Sequence, residues 1–130
     1  MHQIELAESY FQAALRRFSG YPNVRLPQGD SGALMPQIVA ELGHPALFWL
    51  DGHYSGGTTA KGKQETPISL ELRAVLDAPA SGHVVLIDDV RCFDGTHDYP
   101  HLDELLRDVR HDGRYAIEVS ADIARLTPRV

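Results

Sequence analysis

Two short apolar runs stop abruptly on carboxylates: Ala46-Leu47-Phe48-Trp49-Leu50 meets Asp51, and His83-Val84-Val85-Leu86-Ile87 meets Asp88-Asp89. An unbroken apolar run of this length reads as a strand buried on both faces, as in a parallel sheet covered by helices. Around these runs the pattern changes to helical spacing. Residues 7–18 place Tyr10, Phe11, Ala14, Leu15 and Phe18 on one stripe, and Gly20, Pro22 and Asn23 end it. Val24-Arg25-Leu26 predicts a short strand leading into Gln28-Gly29-Asp30-Ser31, followed by a helix with Leu34, Ile38, Val39 and Leu42 on one face, closed by Gly43 and Pro45. Thr66 is placed to cap a helix with Pro67 at its first position, and this helix presents Ile68, Leu72, Val75 and Leu76. Pro100 opens another through Leu102, Leu105, Leu106 and Val109.

The end of the chain, Tyr115-Ala116-Ile117-Glu118-Val119 and Ile123-Ala124-Arg125-Leu126 around Ser120-Ala121-Asp122, predicts an antiparallel edge hairpin. Alternating strands and helices give a single α/β domain over residues 1–130, with a mostly parallel sheet and a C-terminal antiparallel hairpin. In such sheets ligands bind beyond the carboxyl ends of the strands, where Asp51, Asp88 and Asp89 stand.

Composition narrows the partners. A hydrophobic share of 43% and a charged share of 23% are ordinary for a globular protein. The net charge of -6 argues against a nucleic-acid or membrane partner, since no basic stripe offsets phosphates. No apolar run approaches the roughly 20 residues that span a bilayer, and the first residues carry no signal-peptide pattern. Cys92 is the only cysteine, so no internal disulfide forms. A cytoplasmic protein acting on a small-molecule substrate is expected.

If the two carboxylate-ended strands are neighbours, Asp51, Asp88 and Asp89 converge, and a bound cation relieves their repulsion. Oxygen ligands favour Mg²⁺, Ca²⁺ or Mn²⁺ over zinc; the alternative is that these aspartates only cap turns. His53, two residues beyond Asp51, is a general base, a further ligand or a solvated loop histidine. His97, Asp98, His101 and Asp103 form a second polar cluster, but Pro100 breaks the turn a zinc pair at His97 and His101 would need. The run from Gly57 to Gln64 departs from a phosphate-binding loop at Gln64, where a hydroxyl should reach Mg²⁺, and suits a glycine-rich lid better. Cys92 has no identifiable partner base and reads as a passive thiol.

In order, Gln3-Ile4-Glu5-Leu6, Gln28-Gly29-Asp30-Ser31, Leu50-Asp51-Gly52-His53-Tyr54 and Leu86-Ile87-Asp88-Asp89 resemble the later motifs of class I S-adenosylmethionine-dependent methyltransferases. Among these the chain is most similar to the metal-dependent sugar O-methyltransferases of macrolide and aminocoumarin pathways. The resemblance implies a truncated Rossmann-like methyltransferase sheet. In it Glu5 would hold the ribose hydroxyls of the cofactor, and Asp30 and Ser31 would border the adenine. Asp51, Asp88 and Asp89 match the family's Mg²⁺-binding aspartates, and His53 falls where the family carries an acidic general base. The family's first strand and glycine-rich turn should precede Gln3, between the strands matching Ile4–Leu6 and Ala46–Leu50. Their absence predicts a gap, a direct pairing of those two strands, or completion by a second chain, and hence a dimer or higher homo-oligomer.

Three functions are consistent with this reading. One is a methyltransferase-like enzyme in which the metal orients an acceptor hydroxyl and His53 takes its proton. Another is a small metal-dependent hydrolase of esters or phosphoesters that reuses the metal site without S-adenosylmethionine. The last is a non-catalytic fragment that folds as an oligomer.

Overall fold

The computed structural model describes residues 1–51 and 66–129. Four strands form one sheet: β1 (Leu47–Leu50), β2 (Val84–Ile87), β3 (Tyr115–Ser120) and β4 (Ile123–Pro128), in the order β1-β2-β4-β3. β1 and β2 are parallel and register Leu50 with Ile87, while β4 runs antiparallel to both β2 and β3. The predicted hairpin is present, and its turn residues Ala121 and Asp122 have φ of 49° and 63°, the left-handed pair that a two-residue hairpin needs. Of the three pairings in this sheet one is parallel. Parallel pairing recurs outside it, where His2 bridges Arg25 and Glu5 bridges Gln28.

Among the described residues four α-helices accompany the strands: α1 (Glu8–Phe18), α2 (Ser31–Ala40), α3 (Ile68–Leu76) and α4 (Leu102–Asp112). α1 has Glu8 in its first turn and Arg16 and Arg17 in its last, matching the helix dipole. Asp30 caps α2 by accepting from the Gly32 amide at 2.8 Å. Gly113, at φ 76°, ends α4 in the left-handed conformation.

The core is a single layer between the helices and one sheet face. Met35 and Val39 of α2, Leu72 and Val75 of α3, and Leu106 and Val109 of α4 pack with Phe48, Leu50, Val85, Ile87, Ala124 and Leu126. The apolar stripe predicted for α3 is buried as expected, and on α4 Leu105, Leu106 and Val109 are buried while Leu102 is half-buried. On α2 the buried positions are Gly32, Met35 and Val39, so of the predicted stripe Val39 is inside and Leu34, Ile38 and Leu42 are half-buried.

Two expectations are corrected. β1 is not buried on both faces: Phe48 and Leu50 are inside, but Leu47 is 66% and Trp49 54% exposed. The described helices that build the core pack on the Phe48–Leu50 side, so the alternation of β1 becomes one-sided. Thr66 does not cap α3, because its hydroxyl donates to the His97 carbonyl at 2.9 Å, and Pro67 occupies the cap position. Direct pairing between the segments at Ile4–Leu6 and Ala46–Leu50 does not occur among the described residues, where β1 has β2 as its sheet neighbour.

Candidate functional site

Parallel register brings the first group of predicted residues together. The Glu5 amide donates to the Pro27 carbonyl and the Gly29 amide to the Glu5 carbonyl, at 3.2 and 2.9 Å. Both segments therefore end on the same side, with Asp30 and Ser31 just beyond Glu5. Gly29 has φ 148°, and a Cβ there would lie 3.0 Å from Leu34 Cδ1, so the turn needs glycine. The Glu5 carboxylate is half-buried and accepts from Gln3 Nε2 at 2.8 Å.

The Ser31 hydroxyl points inward and donates to Glu71 Oε1 on α3. Glu71 is 3% exposed, and its Oε2 is buried without a hydrogen-bond partner among the described residues. Burial pushes this carboxyl up to about 7; Asp30 and Asp51 push the same way, and the Ser31 hydrogen bond opposes them. The sequence carried one signal for Glu71: it lies three residues after Ile68 and four before Val75, on the apolar stripe of α3.

The second group lies at the ends of β1 and β2. Asp51 and Asp88 are level across the ladder, since the Asp88 amide donates to the Leu50 carbonyl at 3.1 Å. Asp88 Oδ1 accepts from the Asp89 amide at 2.8 Å, the turn-capping role named as the alternative to metal binding. Asp89 takes a left-handed φ of 57° and its Oδ1 pairs with Arg91 Nη2 at 2.7 Å. Among the described residues no group of three or more His, Cys, Asp or Glu side chains is arranged to hold a metal ion. Of the three aspartates, Asp89 is thus engaged by a guanidinium.

Tyr99 stands beside this end, with its ring 5.0 Å from that of Phe93. Burial first, then the nearby Cys92, raises its hydroxyl to about 12, with Asp89 and Asp51 adding smaller pushes; it is a proton-bearing phenol at neutral pH. Nothing in the polar run of residues 91–99 singles it out. His53 and the glycine- and lysine-bearing run from Gly57 to Gln64 lie outside the described residues. In the other polar cluster, His97 and Asp98 adopt left-handed φ of 53° and 63°, and His101 pairs with Asp94 across an antiparallel bridge. A Cβ on Gly95 would approach His101 Nε2 to 2.7 Å. Cys92 is half-buried.

The fold has solved counterparts. A Clostridium thermocellum protein assigned as an rRNA methylase superposes with a TM-score of 0.60 over 98% of this chain and 74% of its own length, at 10% sequence identity. A Staphylococcus aureus protein assigned as a caffeoyl-CoA O-methyltransferase aligns over 98% of this chain and 64% of its own, with a TM-score of 0.49 and 11% identity. No family profile and no curated protein sequence matches the chain. The first likeness shows a methyltransferase-like α/β fold. No described helix is long and apolar enough to cross a membrane.

Proposed function

We propose that this chain is a methyltransferase-like domain that holds the adenosine half of S-adenosylmethionine between Glu5 and the Asp30-Ser31 turn. The observation that carries this reading is the parallel pairing of Glu5 with Gln28, which sets a carboxylate beside a glycine turn and the capped start of α2. A vicinal diol offers two O–H donors, and a carboxylate with two oxygens accepts both. With the Ser31 hydroxyl committed to Glu71, the adenine would meet the backbone of that turn and not the hydroxyl.

The cofactor, when bound, supplies an electrophilic methyl group. The acceptor must then lose a proton, and His53, two residues past Asp51, is the base assigned to take it from a hydroxylated small molecule. Ribosomal RNA is a poor match for a surface of net charge -6, so a small acceptor is favoured. This reading needs no divalent metal, since Asp89 at the end of β2 already has a cation in Arg91.

The test is calorimetry with S-adenosylhomocysteine on the wild-type chain and on Glu5→Gln. Saturable binding that weakens about tenfold or more in the variant supports the assignment. No heat from wild type at millimolar ligand refutes it.

A further inference from the structure

We infer that Arg91 is the resident counter-cation at the carboxyl end of β2, in the place where the resemblance would put a divalent metal. Its guanidinium spans two loops. Nη2 meets Asp89 Oδ1 at 2.7 Å, and Nη1 meets Asp122 Oδ2 in the β3–β4 turn. The same turn is held twice more by backbone: the Arg91 amide donates to Asp122 Oδ1 at 2.8 Å, and the Val90 amide to the Asp122 carbonyl at 3.1 Å.

The local backbone is shaped for this clamp. The left-handed φ of Asp89 turns the chain out of β2 into a single 3-10 turn, Val90–Cys92, which carries Arg91 toward the hairpin. On the other side Asp122 has a left-handed φ of its own. Asp88 accepts from the Asp89 amide while Asp89 pairs with Arg91, so the two adjacent carboxylates serve different partners.

An isolated exposed ion pair would contribute little. Here one planar fork engages two carboxylates whose side chains are 18% and 32% exposed, and one of them also accepts from a backbone amide. Charge-assisted bonds sharing donors in this way are the stronger kind. A divalent ion on Asp89 Oδ1 would have to displace the guanidinium from that oxygen. The assignment stands whether or not the chain transfers methyl groups, because it concerns the occupant of the carboxylates alone.

The probe is Mn²⁺ alone, followed by the loss of the free-ion signal in electron paramagnetic resonance. Wild type, Arg91→Met, Asp89→Asn and the double variant Arg91→Met/Asp89→Asn are compared. The Arg91 side chain is 66% exposed, so its removal leaves the core intact, and circular dichroism checks this. Wild type is expected to leave Mn²⁺ free up to about 1 mM, Arg91→Met to gain at least about tenfold in affinity, and the double variant to lose the gain. Uptake by wild type that Asp89→Asn abolishes overturns the inference, and so does an Arg91→Met protein as inert to Mn²⁺ as wild type. The wild-type titration decides on its own should the variant fail to fold.

Discussion

Glu71 offers a quantitative check on the packing of α2 against α3. Replacing it by Gln keeps an oxygen that accepts from Ser31 but removes the charge. In the folded chain the carboxyl titrates at about 7 against 4.5 for the unperturbed group. Folding therefore favours the protonated form. The stabilisation is complete below pH 4.5 and declines as pH rises, because the unfolded chain ionises first; it is gone once pH passes about 7. An interval of roughly 2.5 pH units at 1.36 kcal/mol each sets the loss at about 3 kcal/mol. Urea unfolding of both proteins at pH 5 and pH 8 measures it. Wild type should lose about 2.5 kcal/mol more than Glu71→Gln between the two conditions, since part of the stabilisation is already gone at pH 5. His83 acts with the opposite sign: desolvation pushes its pKa down, so its contribution grows as pH rises through the ordinary imidazole range. It is common to both proteins and cancels in the comparison. Equal pH dependence in the two proteins would refute the reasoning, since it would mean that Glu71 is ionised in the fold.

Two further outcomes follow from the sheet. Ile87 is fully buried at the C-terminal end of β2, so Ile87→Ala should cost about 2–5 kcal/mol in chemical denaturation; a cost below about 1 kcal/mol would contradict the core assignment. Trp49 is exposed on β1, which among the described residues is an edge strand, and we propose that copies of the chain associate along this edge. Light scattering should then show wild type larger than a monomer and Trp49→Lys monomeric with unchanged unfolding, while a monomeric wild type at about 100 μM would exclude the association.

Local pattern decided which parts of the fold could be read in advance. α1, α3, α4 and the hairpin were legible because apolar spacing and turn residues are local signals, and Leu105, Leu106 and Val109 fall inside as the spacing requires. The faces of β1 were not, because a continuous apolar run has no alternation to say that Leu47 and Trp49 lie outside. Thr66 carried a good capping signal, but a carbonyl 31 residues away took its hydroxyl. The candidate site divides along the same line. Glu5, Asp30 and Ser31 were brought together by parallel pairing between segments close in sequence. Asp51 and Asp88 were legible as neighbours, but the partner of Asp89 depended on a 3-10 turn and on Asp122, 31 residues beyond Arg91. No sequence spacing encodes such a contact.

The position of β4 between β2 and β3 also constrains the order in which the chain acquires its structure. Pairing of β3 with β4 is local and closes through a two-residue turn, whereas β2 must wait for residues about 40 positions further on, Val85 meeting Leu126. Loop closure over that span is the slower event. During synthesis the apolar strands β1 and β2 emerge well before the strand that flanks β2, and Ala124 and Leu126, both fully buried, arrive last. Residues 123–128 therefore act as a keystone, and a nascent chain stopped before them presents β2 as an open template for other chains.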